Sequence, residues 1–262
     1  MLKFELETAI EAAKVAEKKI LEIYHTPFDV EIKEDNSPVT QADKCADAII
    51  REILSRAFPE DGFLTEESAD TPERFSKKRI WIVDPVDGTR EFVSRNGEFT
   101  TNIALCEGHE IVLGVINVPT TGVLYYAIKG EGAFRLEPGK EAVRIHVSDR
   151  TESLRCMRSV SFFQPSEAVY MKENASRFEG EAMPVGAALK FARIAEGSCD
   201  FFVRLSNGTK EWDVAPGDLI VQEAGGFMVE PSGKNFTYNR EDVYNRNGYL
   251  VGNILQPWML NR

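Results

Sequence analysis

Histidine is nearly absent from this 262-residue chain, which has His25, His109 and His146 in unrelated contexts. That argues against a His-rich zinc site and leaves general acid–base work to carboxylates. Cysteine is almost as scarce: Cys45, Cys106, Cys156 and Cys199 stand 61, 50 and 43 residues apart, with no C-x-x-C pair. Neither a disulfide framework nor a thiolate metal site is indicated, and the four read as buried, reduced thiols. No run approaches the ~20 apolar residues that span a bilayer. The opening MLKFELETAIEAAK lacks a cationic segment followed by an apolar stretch, so a cytoplasmic protein with no membrane partner is expected. Positive charge is in short supply too. With 31 Lys+Arg against 42 Asp+Glu the formal net charge is −11, which argues against a nucleic-acid duplex as partner, because little on such a chain displaces phosphate counterions.

What is present is ordinary for a globular protein: 43% hydrophobic, 28% charged and 10% aromatic residues. At this length the area scaling lets nearly three quarters of roughly 43,000 Å² of unfolded surface be buried. Residues 4 to 24 place Leu6, Ile10, Ala13, Ala16, Ile20 and Tyr24 on one helical face. A second helix is predicted from about Gln41 to Phe58, stopped by Pro59. From Ile80 the chain turns to short β-rich runs (IWIVD, TNIALCE, IVLGVINV, VLYYAIK, AFRLE, VRIHV) separated by turn residues, which read as an antiparallel meander. Beyond Thr151 the pattern alternates, with strands expected at 154 to 161, 199 to 205, 227 to 230 and 248 to 252. Helices are expected near 166 to 176, 187 to 196 and 214 to 224. A layered α/β protein results, with a soft boundary between residues 1–150 and 151–262 and a cleft shared by the halves.

Chemistry concentrates in IWIVDPVDGTREF, residues 80 to 92, where a strand ends in Asp84, Pro85, Val86, Asp87, Gly88 and Thr89 ahead of a helix. Pro85 fixes a turn between the two aspartates, and Gly88 lets the following amides open a helix toward an anion. The same letters also suit a type I turn with a helix cap. Glu66 and Glu67 follow a short apolar run, and Asp213 stands beside Trp212 near a helix start. Alone, each reads as a loop acid or a cap. Bringing Glu66, Asp84, Asp87 and Asp213 together costs roughly 4 kcal/mol per close pair at an effective dielectric of about 20, so a cation must offset it. All-oxygen ligation selects a hard ion, and Mg2+ fits best. Thr40 and Asp43 have capping-box spacing at the second helix, and Asp43 could equally accept a hydrogen bond from Thr89, whose hydroxyl would orient a water.

An early Asp43, Glu66-Glu67, DPVDGT at 84 to 89, and Trp212-Asp213 with eleven residues before Gly225-Gly226 form a spaced composite over nearly the whole chain. In these motifs the chain resembles the lithium-sensitive, Mg2+-dependent phosphatases of the inositol monophosphatase superfamily, with Val86 where the family has Ile or Leu. EFVSRNGEFTTNIAL and GAALKFARIAEG are similar to the 3'(2'),5'-bisphosphate nucleotidase (CysQ-type) branch. The resemblance implies a five-layer α-β-α-β-α sandwich, usually a homodimer. Two or three Mg2+ would be held by Glu66, Asp84, Asp87, Asp213 and the Val86 carbonyl. Asp43, Glu66 and Thr89 would serve catalysis, and Gly88, Thr89, Gly186, Ala187, Lys190, Arg204 and Asp213 the substrate, a small phosphorylated molecule.

Where inositol-specific relatives carry a Glu shortly before W-D, this chain has Ser206 or Asn207. The branch's Ser is Ala187 here, and its S-x-S-H motif survives only as Ser159-Val160-Ser161 followed by Phe162 and Phe163, a pair that either stacks a base or packs inside. The expected reaction is hydrolysis of adenosine 3',5'-bisphosphate to AMP and phosphate by a metal-activated water. The alternatives are an inositol or other sugar phosphatase and a non-catalytic metal- or nucleotide-binding regulator.

Overall fold

The computed structural model describes residues 2–32 and 38–260, beginning with α1 (Lys3–Tyr24), β1 (Val30–Ile32), β2 (Pro38–Thr40), α2 (Gln41–Ala57), β3 (Gly62–Thr65) and β4 (Arg79–Asp87). Next come α3 (Thr89–Val93), β5 (Thr100–Glu107), β6 (Glu110–Val118), β7 (Val123–Ile128), β8 (Gly132–Leu136) and β9 (Val143–Ile145). The remainder is β10 (Cys156–Ser159), α4 (Pro165–Glu173), β11 (Met183–Val185), α5 (Leu189–Ala195), β12 (Phe201–Arg204), α6 (Glu211–Glu223), β13 (Phe227–Val229) and β14 (Tyr249–Gly252).

Side-chain alternation sorts these elements into layers. Along β4, Trp81 and Val83 pack with Ala9, Ala12, Ala13 and Ala16 of α1 and with Ala46 and Ile50 of α2. Ile80 and Ile82 on the opposite face pack with Phe191 and Ile194 of α5 and Val214 and Ala215 of α6. Along β12, Phe202 joins that same middle layer, whereas Phe201 and Val203 turn outward to Tyr170 of α4 and Met259. The order is therefore helix pair, large sheet, helix pair, smaller sheet, outer helix, the expected five-layer sandwich.

The large sheet runs β3-β4-β5-β6-β7-β8-β9 and the smaller one β11-β10-β12-β14-β13. Four differences from the sequence reading follow. The meander is antiparallel from β4 to β9 as expected, but the strand β3, which the sequence reading did not include, extends it at one edge by parallel pairing with β4. Four residues of one register are too few to show their direction without the crossover. The strand β11 went unread, since Met183–Val185 carries no alternation and gains its place only by parallel pairing with β10. The last long helix starts at Glu211 rather than 214, and the predicted strand at 154 to 161 shrinks to Cys156–Ser159. No helix among the described residues is long and apolar enough to cross a membrane.

One contact sets the height of α6 over the large sheet. A Cβ built on Gly114 of β6 would lie 2.8 Å from the Pro216 carbonyl oxygen and 2.9 Å from its Cα. Only glycine lets the helix backbone come this close, and the helix carries Asp213. Gly114→Ala is expected to lower unfolding free energy by about 1–3 kcal/mol through overpacking. Urea denaturation checks this, with the midpoint falling and the slope kept.

Candidate active site

The two aspartates of the strand β4 reach one point because the strand does not end between them. Asp84 pairs with Asn102 and Asp87 with Thr100, so the register shifts by one residue across Pro85-Val86. The expected turn is thus a β-bulge, which suits a proline that has no N–H to give the ladder. Thr101 Oγ1 donates to the Pro85 carbonyl at 2.9 Å and pins the bulge. Asp84 Oδ1 accepts the Val86 N–H at 3.1 Å, and Asp87 Oδ2 accepts Asn102 Nδ2 at 3.1 Å. Gly88 then takes φ 89°, a left-handed turn that starts α3.

Asp213 comes from the other side, on the first turn of α6, where its Oδ2 accepts the Lys210 N–H at 2.6 Å. It is the third residue of the helix, so the reading of Asp213 as the N-cap itself is corrected. Asp84, Asp87 and Asp213 each offer a carboxylate oxygen within 4.8 Å of the others. Glu66 follows β3, its N–H donating to the Val83 carbonyl at 3.2 Å, and lines the same cavity. Ser68 fastens this acidic loop to α2 by donating to Asp47 Oδ2 at 2.7 Å.

Both expectations for Asp43 coexist. Its Oδ2 accepts Thr40 N–H at 2.8 Å and Thr40 Oγ1 at 2.6 Å, while its Oδ1 accepts Thr89 Oγ1 at 3.2 Å. Asp43 is buried behind Thr89, and Thr89 faces the cavity.

The cavity has a volume of about 610 Å³ and takes its walls from both halves of the chain. Asp84, Val86, Asp87, Gly88, Thr89, Ala187, Lys190, Arg204 and Asp213 all line it. Gly186 does not: its N–H goes to Glu98 Oε2 at 2.9 Å, and a Cβ there would meet Glu98 and Glu91 within 2.8 Å. Its smallness serves packing behind the wall. Lys190 is 7% exposed and donates to the Ala187 carbonyl at 2.5 Å. Sequence reasoning passed over Arg90, Trp212 and Tyr244 as wall residues. Phe162 and Phe163 are not packed inside but 39% and 38% exposed, and Phe162 lines the cavity.

Electrostatics decides what this floor can hold. Asp84 is buried and its carboxyl is pushed well above the usual carboxylate range, first by desolvation, then by Glu66, Asp87 and Asp213. Burial raises Asp87 to about 6, opposed by Lys190, and raises Asp213 to about 8, aided by Asp87 and Glu66. Lys190, lowered to about 8 by burial, is still largely charged at pH 7, but it brings one positive charge against several carboxylates and so offsets only part of the repulsion. An all-oxygen donor set driven toward protonation fits a hard divalent cation, which relieves the repulsion that protons otherwise relieve.

Comparison with known proteins shows the family and the fold. The sequence pattern of the inositol monophosphatase family matches residues 1–260. The 3'(2'),5'-bisphosphate nucleotidase CysQ of Aggregatibacter actinomycetemcomitans is 32% identical over 259 residues, 97% of this chain and 94% of that protein. CysQ of Escherichia coli K12 is 34% identical over 250 residues, 94% and 98% of the two chains. The crystal structure of CysQ from Bacteroides thetaiotaomicron superposes with a TM-score of 0.84 at 33% identity, covering 96% of this chain and 98% of that one. An IMPase of Thermotoga maritima gives 0.80 at 27% identity, covering 95% and 92%.

Two outcomes follow for the metal-free protein. Asp87 and Asp213 titrate near 6 and 8 when folded, against roughly 3.9 when unfolded. Their contribution is full below about 4 and is lost as pH rises through 6 to 8. Metal-stripped protein should therefore melt higher at pH 5.5 than at pH 7.5, and saturating Mg2+ should shrink that difference; scanning calorimetry reads both. Asp213→Asn removes a carboxyl that folding must keep protonated against its own tendency to ionise, so it should raise the metal-free melting temperature at pH 7.5. The same variant should abolish most of the Mg2+-induced increase, which for wild type at 100 times Kd is about 2.7 kcal/mol.

Proposed function

Since the chain belongs to the inositol monophosphatase family, we propose that this phosphatase hydrolyses the 3'-phosphate of adenosine 3',5'-bisphosphate, leaving AMP and inorganic phosphate. The observation that carries the reading is the convergence of Asp84, Asp87 and Asp213 within 4.8 Å at the floor of a cavity whose wall holds the Thr89–Asp43 hydrogen bond. The nucleotide is favoured over an inositol phosphate by the 32–35% identity to proteins named 3'(2'),5'-bisphosphate nucleotidase. Asn207, in the stretch where inositol-specific relatives have Glu, lines the cavity and offers no carboxylate to ring hydroxyls.

In this reading Glu66, Asp84, Asp87, Asp213 and the Val86 carbonyl hold two or three Mg2+. Bound there, Mg2+ supplies Lewis-acid polarisation of phosphoryl oxygens and lowers the pKa of water. The chain does the rest by positioning. Gly88 and Thr89 present amides to the phosphate at the start of α3. The Thr89 hydroxyl gives its proton toward Asp43 and so turns a lone pair to the attacking water, orienting it for an in-line approach. Burial raises the Asp43 carboxyl above its ordinary value, which makes it a stronger acceptor for that relay. Lys190 and Arg204 meet the distal part of the substrate, and no covalent enzyme intermediate forms. The same reading makes the enzyme a cytoplasmic homodimer inhibited by lithium at a Mg2+ position.

A phosphate-release panel in Mg2+ tests the proposal. Adenosine 3',5'-bisphosphate should exceed inositol 1-phosphate in kcat/KM, with Li+ lowering the rate. A higher kcat/KM on inositol 1-phosphate would transfer the enzyme to the other branch.

A further inference from the structure

Phe162 is a large apolar side chain left 39% exposed in the cavity wall, and two guanidinium groups lie against its ring. The Arg90 guanidinium carbon lies 4.3 Å from the ring centroid and that of Arg204 5.5 Å. Arg204 Nη1 also donates to the Phe162 carbonyl at 2.7 Å, which ties the platform to β12. Such contacts hold a guanidinium flat while leaving its edge to bind.

Two further facts separate Arg90 from the other cations of the wall. The exposed Arg90 side chain makes no hydrogen bond or ion pair among the described residues, in a chain with 42 acidic side chains. Arg246 by contrast is bonded to Asp242 at 2.8 Å, and Lys190 is turned inward to the Ala187 carbonyl. Beside Arg90, Arg204 is 7% exposed and keeps its buried Nε without any partner. An arginine braced on an aromatic ring with five unspent N–H groups, next to a second guanidinium on the same ring, is a bidentate grip for an oxyanion.

Thr89 and Arg90 are adjacent on α3 and both line the cavity. An anion received at Gly88 and Thr89 therefore leaves Arg90 for a second group of the same ligand. Resting on the bisphosphate reading above, we infer that Arg90, held flat on Phe162, grips the phosphate that is not cleaved. Together with Arg204 it makes the enzyme choose bisphosphates over monophosphates. The aromatic ring acts as a positioning residue for Arg90 and not as a stacking surface for the base.

Steady-state kinetics in Mg2+ with adenosine 3',5'-bisphosphate and adenosine 3'-monophosphate tests this on wild type, Arg90→Gln and Phe162→Leu. The ratio of kcat/KM for bisphosphate over monophosphate should fall about 10- to 100-fold in Arg90→Gln, mainly through the bisphosphate KM. Phe162→Leu keeps the charge but removes its support, and the ratio should fall about 2- to 5-fold. A ratio kept at the wild-type value in Arg90→Gln, whether both substrates suffer alike or neither does, overturns the assignment. A ratio unmoved in Phe162→Leu overturns the platform role. The wild-type ratio by itself tests the substrate reading, so the two can fail separately.

Discussion

The mutual repulsion of carboxylates gathered at the floor of one cavity is the constraint around which this molecule is arranged. Asp84, Asp87 and Asp213 cannot all be charged within 4.8 Å of one another in a partly desolvated site unless something positive is added. The fold holds them there regardless, and it does so from two independent directions. Asp84 and Asp87 are fixed by a bulge in the strand β4 that Thr101 pins at the Pro85 carbonyl. Asp213 is fixed by the N-terminal turn of α6, where Glu211 accepts the Asn239 N–H at 2.7 Å and Arg240 Nε at 2.9 Å. That buried anchorage keeps the helix start from relaxing away from its neighbours. Protons or cations must supply the missing charge.

Such pre-strained floors trade stability for affinity. Energy stored in like-charge proximity is returned when a divalent ion binds, so the backbone scaffold needs to be stiff enough to store it. The middle layer provides that stiffness. Phe191 of α5 packs within 2.3 Å of where a Cβ on Gly217 would be, and Gly114 brings α6 against the large sheet. Small residues at these crossings leave no slack for the helices to separate. The catalytic chemistry is therefore inherited from packing as much as from the acids themselves.

Much of this was legible in the sequence and some was not, for physical reasons. Helices α1 and α2 announce themselves through long apolar periodicity, and the carboxylates through their motif spacing. The dual role of Asp43 could be read because a capping box fixes one carboxylate oxygen and leaves the other. The bulge at Asp84–Asp87 could not, since D-P-x-D-G encodes a turn and a bulge equally well until the partner strand β5 is known. β11 was invisible because three residues have no period. Phe162 stayed open between base stacking and burial for a related reason: apolarity alone favours burial, and only the two arginines beside its ring explain why it stays at the surface. The net charge of −11 likewise hides a wall on which Arg90 and Arg204 line the cavity.

The central claim is that the floor of the metal-free site holds protons at neutral pH and exchanges them for metal. Isothermal titration of Mg2+ into metal-free protein at pH 7, repeated in buffers of different ionisation enthalpy, measures this directly. With Asp213 near 8 and Asp84 raised well above its ordinary range, binding should release about one proton or more per active site, and the release should shrink as pH is raised toward 9. An apparent binding enthalpy that is the same in every buffer would mean that the carboxylates are already ionised without metal, and the account of a repulsion held in place by the fold would be wrong.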